Sequence, residues 1–145
     1  MSPDKSFLGT GWSFPPAFDV TRRSVVLAGE EEDIGQSLHI LLGTVPGERV
    51  MHPTFGCGVR RMVFEHVTES TLTELKDIVR NAVMFFEPRI VLDGVVVNTD
   101  ELFEYGKLLL RLDYTVRSTN TRTNLVYPLY LLEARNAAAV TALAA

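Results

Sequence analysis

TLTELKDIVRNAVMFFEPRI, residues 71–90, reads as an amphipathic helix with a fixed end. Leu72, Leu75, Val79, Val83 and Phe86 recur at helical spacing along one stripe, the pattern of a helix that buries one side. Thr71 followed by Glu74 fits a capping box at the start. Pro88 ends the helix, because its ring disfavours helical geometry at Glu87. The expected helix spans Thr71–Phe86, with one acidic and one basic side chain, Glu87 and Arg89, leaving its end in directions that Pro88 fixes.

Downstream the period changes from helical to alternating. Ile90–Asn98 is β-branched and apolar on both faces, with Gly94 as a candidate bulge. Leu108–Arg117 alternates strictly. Leu108, Leu110, Leu112, Tyr114 and Val116 share one face, and Leu109, Arg111, Asp113, Thr115 and Arg117 the other, as in a half-buried strand. Ser118–Thr121 is a polar turn, and Asn124–Leu132 returns as a strand to complete a hairpin. Pro128 has no N–H to give to a ladder, which places that last strand at an edge.

Upstream, Ser24–Ala28 reads as a short strand ended by Gly29. Glu30, Glu31, Glu32 and Asp33 then open a helix, where carboxylates oppose the positive end of the helix dipole. Ile34, Leu38, Leu41 and Leu42 give it one apolar face, Gly43 ends it, and Pro46-Gly47 turns the chain. Pro53, Gly56 and Gly58 leave residues 48–67 irregular to strand-like. The expected fold is α+β: two helices packed on a mostly antiparallel sheet, with an exposed edge on the C-terminal hairpin and an extended N-terminal arm. The organisation read from the chain is an arm over 1–20, one domain over 21–132, and an Ala-rich tail over 133–145.

The arm differs in kind from the rest. Phe7, Trp12, Phe14 and Phe18 stand among Gly9, Gly11, Pro15 and Pro16, where regular structure is not expected. Such aromatics need burial, either on the chain's own core or on a neighbouring subunit; Phe7, Trp12 and Phe14 are the candidate docking residues.

The chain has 145 residues, 46% of them hydrophobic, enough for one self-supporting core. A net charge of −4 argues against nucleic acid as the partner, and Arg22-Arg23 and Arg60-Arg61 are too short to reverse it. One cysteine, Cys57, excludes an intrachain disulfide. The N-terminus lacks the pattern of a signal peptide, so synthesis in the cytoplasm is expected. The apolar stretch Ala137–Ala145 is too short for a bilayer, which needs about 20 residues, so no membrane insertion is expected.

Catalytic motifs are not found: there is no phosphate-binding loop, dinucleotide turn or metalloprotease His pair, and no cofactor is implied. His52, Cys57 and His66 match no zinc spacing and lack a fourth ligand, so no metal is expected. Gly56-Cys57-Gly58 is better read as a turn holding a small thiol than as a nucleophile, since nothing fixes a base beside it. The acidic run Glu30–Asp33 needs no role beyond the helix dipole.

Several segments together resemble the baseplate wedge family of contractile tails, a lysozyme-like phage family with relatives in type VI secretion baseplates and extracellular injection particles. They are Phe7-Leu8-Gly9-Thr10-Gly11-Trp12-Ser13-Phe14-Pro15, Asp33-Ile34-Gly35-Gln36-Ser37-Leu38 with Ile40-Leu41-Leu42, Thr44-Val45-Pro46-Gly47-Glu48-Arg49, Pro53-Thr54-Phe55-Gly56-Cys57-Gly58 and Phe86-Glu87-Pro88-Arg89-Ile90. The resemblance implies a structural subunit, present in six copies around the tube, that initiates the sheath of a phage tail or tail-like particle. Its implied partners are sheath subunits, other wedge proteins and the inner tube or its initiator. Glu87, Pro88 and Arg89 are implied to meet the helical core bundle of the wedge. The alternative from the residues alone is a local Glu87–Arg89 salt bridge beside a helix stop. Asn124, Leu125, Val126, Tyr127, Leu129, Tyr130 and Leu131 line the edge strand to which a sheath strand can add, because an edge leaves main-chain groups unpaired. Two other functions compete: a soluble regulatory module, since a bacterial anti-adaptor has a similar fold, and a cell-wall hydrolase. Muramidase chemistry needs two carboxyl groups at a defined distance, and no spacing selects Glu48, Glu65 or Asp93 for it, so the chain is not read as an enzyme.

Overall fold

The computed structural model describes residues 8–130. The elements run β1 (Thr10–Trp12), β2 (Phe18–Asp19), β3 (Ser24–Val25), β4 (Leu27–Gly29), α1 (Glu30–Gly43), a 3₁₀ helix (Gly58–Phe64), α2 (Glu69–Phe86), β5 (Ile90–Asn98), α3 (Leu102–Tyr105), β6 (Lys107–Val116) and β7 (Thr121–Tyr130). This is the expected α+β architecture. The main sheet is antiparallel in the order β5-β6-β7, and β1-β4 and β2-β3 form two small ladders beside it.

The alternation in β6 governs the sheet. Leu108, Leu110, Leu112, Tyr114 and Val116 are all buried, and they meet Ile34, Leu38, Leu41 and Leu42 of α1 and Leu75, Val79 and Val83 of α2 in one core. Leu72 and Phe86, at the two ends of the α2 stripe, pack against that core while partly exposed. Gly94 marks a shift of register in β5, where Leu92 pairs with Tyr114 and Gly94 with Asp113, so Asp93 is the extra residue of the bulge.

Several details depart from the sequence reading. The single strand expected over Ser24–Ala28 is two, β3 and β4 on separate ladders, with Gly29 the last residue of β4. The capping box closes one turn earlier: Thr68 is the cap, its hydroxyl accepts from Thr71 N–H at 3.2 Å, and the Thr71 hydroxyl accepts from Thr68 N–H at 2.7 Å. Two threonines complete the motif where Thr71 and Glu74 were expected to. The stretch over 48–67 holds no strand; its regular part is the 3₁₀ helix. Gly56 (φ +132°) explains part of this, because a Cβ there would come within 2.5 Å of Thr44 O, and Cys57 N–H bonds that same carbonyl at 2.8 Å. β7 starts at Thr121, three residues before the expected Asn124, because Asn120 takes the left-handed conformation (φ 53°) that closes the hairpin. The Gly- and Pro-rich N-terminal segment does form regular pairs, Thr10 with Gly29, Gly11 with Ala28 and Trp12 with Leu27. A strand of three residues with a glycine at its centre carries too little alternation to read from sequence.

Candidate functional site

Glu87, Pro88 and Arg89 are held from both sides. Glu87 N–H bonds Val83 O at 2.9 Å, closing the last turn of α2. Arg117 N–H bonds Arg89 O at 2.9 Å, and Ile90 enters β5 opposite Val116. The step from helix to sheet thus takes place within these three residues.

Glu87 is 3% exposed, the one buried charged side chain among the described residues. Arg89 grips it with two parallel bonds, Nε to Oε1 at 2.6 Å and Nη2 to Oε2 at 2.9 Å. Ser37 of α1 donates its hydroxyl to Oε2 at 2.6 Å. Burial pushes the Glu87 carboxyl up, but the hydrogen bonds from Arg89 and Ser37 and the charge of Arg89 outweigh it and hold the carboxyl below its ordinary range. The hydrogen bonds that Arg89 donates to Glu87 in turn raise the Arg89 pKa against the effect of burial, with Asp33 adding to the rise.

The third arm of Arg89 reaches the N-terminal segment. Nη1 donates to Asp33 Oδ2 at 2.7 Å and to Leu8 O at 3.4 Å. Asp33 sits over β1: a Cβ at Gly11 would come within 2.6 Å of Asp33 Oδ1. Three stretches far apart in the chain, around Leu8–Gly11, Asp33–Ser37 and Glu87–Arg89, therefore meet at one corner. Asp33 and Ser37 were not singled out as site residues by sequence reasoning; Asp33 was accounted for by the helix dipole, and no periodicity marks a serine for a partner fifty positions away. The alternative local salt bridge does form, and it belongs to a larger network.

The N-terminal aromatics divide. Phe7 lies outside the described residues. Leu8 beside it is buried in the core. Trp12 is 65% exposed and faces Leu27, itself exposed, across the ladder. Phe14 N–H bonds Gln36 Oε1 at 2.7 Å, and its ring lies 6.4 Å from His39, whose ring stands edge-on to Tyr127 at 5.1 Å.

Along β7 the candidate residues also divide. Leu129 is buried, and Leu125 and Tyr127 pack partly buried against the core. Asn124, Val126 and Tyr130 are exposed. Leu131 lies outside the described residues. β7 pairs with β6 over its whole length, Thr121 with Val116 through Tyr130 with Lys107, and among the described residues no strand lies on its other side.

The remaining chemical candidates do not converge. Cys57 is 1% exposed, and burial pushes its thiol up to about 11, the reverse of what a thiolate nucleophile requires. His52 stands edge-on to Phe55. Among the described residues no group of His, Cys, Asp and Glu is arranged to hold a metal. Glu48, Glu65 and Asp93 are all exposed, with Glu48 Oε2 accepting from Val45 N–H at 3.0 Å and Asp93 Oδ2 from Thr115 Oγ1 at 2.7 Å.

Known proteins share this fold. The family model described as baseplate wedge protein gp25 matches residues 28–121, well over half of the chain. The baseplate wedge protein gp25 of Enterobacteria phage T4 is 30% identical over 83 residues, covering 57% of this chain. That match spans 61% of the length of the phage protein. A solved protein of Geobacter sulfurreducens, described as a candidate tail lysozyme, is 48% identical, with a TM-score of 0.67 over 74% of this chain and 96% of its own. A chain of the anti-feeding prophage baseplate is 28% identical, with a TM-score of 0.63 over 88% of each chain. A chain of the type VI secretion baseplate shares the fold, with a TM-score of 0.53 at 15% identity. With its fold, its ordered segments and the match across 28–121, the chain belongs to the gp25 family of baseplate wedge proteins.

Proposed function

We propose that this chain is a structural subunit of the baseplate of a contractile, phage-tail-like particle, and that it starts the sheath by accepting a strand at the free edge of β7. The observation that carries the proposal is that edge: ten residues of β7 pair on one side only among the described residues. Unpaired N–H and C=O groups along an edge are a template for a neighbouring chain, and main-chain bonds over that length give a long, register-specific contact. Contacts to the other wedge proteins fall at the corner where Glu87, Pro88 and Arg89 meet the N-terminal segment. Six copies around the tube fit the six-fold symmetry of the related anti-feeding prophage baseplate. A structural role also fits the carboxylates: a glycosidase acid works from an apolar pocket, whereas Glu48, Glu65 and Asp93 are all open to solvent.

The test is co-purification of the sheath subunit of the same particle with the chain carrying Val126→Pro. Proline sits in an edge strand with its nitrogen on the open side, and alternate residues of a strand share that side, so position 126 matches the natural Pro128. The variant should fold and pair with β6 as before, yet lose sheath capture. Undiminished capture by a folded variant overturns strand addition at this edge.

A further inference from the structure

We propose that Pro128 makes the open edge of β7 selective: it prevents two copies of this chain from pairing edge to edge, and so keeps the edge free for a strand of another protein. The proposal rests on the open edge of the strand-addition reading and adds what that edge must refuse.

β7 is otherwise an unprotected edge. It runs ten residues, Thr121–Tyr130, and pairs with β6 from end to end with no shift of register. Long, regular edges are where like chains join, and folded proteins blunt them with short strands, bulges, charges or proline. The opposite edge of the sheet, β5, carries the bulge at Asp93. β7 has no bulge, and Arg122 is its one charged residue.

A proline stands in a paired strand with its nitrogen on the open side. Pro128 pairs with Leu109, so Arg122, Asn124, Val126 and Tyr130 turn their main-chain groups to the open side with it. Two copies would meet antiparallel about a two-fold axis, so every contact between them occurs twice. In the register centred on Val126, Arg122 of one copy faces Tyr130 of the other, Asn124 faces Pro128, and Val126 faces itself. No like charges are opposed there, and Val126 and Tyr130, 51% and 56% exposed, would gain apolar contact. The side chains therefore favour self-pairing, and the obstacle is in the backbone. Pro128 twice lacks the N–H that the Asn124 carbonyl of the other copy needs, and twice its ring fills the space of the approaching strand. In the register centred on Leu125, Pro128 faces Arg122, again twice. A register that clears both rings leaves only Arg122–Val126, half of the strand. A strand of another protein meets one ring, near the end of the ladder, and can turn away there.

Sedimentation velocity over a concentration series tests this on the full-length chain. The wild-type chain should stay monomeric. Pro128→Thr restores the N–H with a residue suited to strands, and should self-associate at least about tenfold more tightly, the scale of two regained backbone hydrogen bonds. Amide exchange at Arg122, Asn124 and Val126 should slow as that variant associates, because those N–H groups become engaged. Moving the proline by two positions, Pro128→Thr with Val126→Pro, should return the monomer. A folded Pro128→Thr chain as monomeric as the wild type overturns the proposal. Association with unchanged exchange at those three amides overturns it as well, and so does a wild-type chain whose own exchange there slows with concentration. Should Pro128→Thr fail to fold, Pro128→Val is read in the same ways. The experiment contains no sheath subunit, so its failure is distinct from a failure of sheath capture.

Discussion

Arg89 holds both carboxylate oxygens of Glu87, across a proline, at 2.6 and 2.9 Å. A charge as buried as Glu87 is costly to leave alone, so truncating its partner should destabilise the monomer more than the pair itself contributes. Arg89→Ala is expected to lower unfolding stability by about 2–3 kcal/mol, somewhat under the range for fully buried pairs because Arg89 is part-exposed. Replacing both members by apolar residues, Glu87→Leu with Arg89→Met, should cost less than Arg89→Ala alone. Urea midpoints at constant slope decide it; a double variant weaker than the single one contradicts this account of the pair.

The same bond sets a pH dependence. Glu87 is held below its ordinary value of 4.5, so the native state binds its proton less readily than the unfolded chain does. Its contribution is fully present above the ordinary carboxylate range and is lost as pH falls through the lowered native value. Stability should therefore decline on acidification below about pH 5, where the unfolded carboxyl begins to protonate. Glu87→Gln should flatten that part of the profile, and a wild-type and a Glu87→Gln profile with equal acid slopes would assign the decline to other carboxylates. Urea midpoints between pH 7 and acid read it directly.

How far the sequence carried follows from which interactions leave a local pattern. The strict alternation of Leu108–Val116 placed every buried residue of β6 correctly, because a strand with one buried face must repeat every second residue. The stripe of Leu75, Val79 and Val83 placed α2 for the same reason at the helical period. The corner of Leu8, Asp33, Ser37, Glu87 and Arg89 has no period at all. Its members are brought together by the packing of α1 against α2, and single polar residues give no signal until that packing is known. The helix start shifted from Thr71 to Thr68 because two nearby threonines both offer a capping hydroxyl and the choice rests on geometry.

Cys57 is expected to be inert in the folded chain. It is nearly fully buried and its thiol is pushed up to about 11, so little thiolate exists at pH 8 and reagent access is blocked. A thiol-specific chromogenic reagent should modify less than about a tenth of the chain on the timescale at which it fully labels the urea-unfolded chain. Rapid labelling of the native protein would show that the turn around Gly56 opens readily.

Gly11 gives the most selective test of the corner. Gly11 does not take a left-handed φ, so the backbone there tolerates a side chain, and what forbids one is the Asp33 carboxylate 2.6 Å from the Cβ position. Gly11→Ala should push Asp33 off Arg89 and cost about 1–3 kcal/mol, the scale of an overpacked contact. Asp33→Ala alone removes a partner of Arg89 while leaving its bonds to Glu87, and should cost about 1–2 kcal/mol as a charged hydrogen bond. The two changes together relieve the clash, because the oxygen that the added methyl would strike is gone. The double variant should thus be no weaker than Asp33→Ala alone, a favourable coupling comparable to the whole cost of Gly11→Ala. Additive losses across this cycle would mean that Gly11 is needed for the backbone of β1 and not for the approach of Asp33.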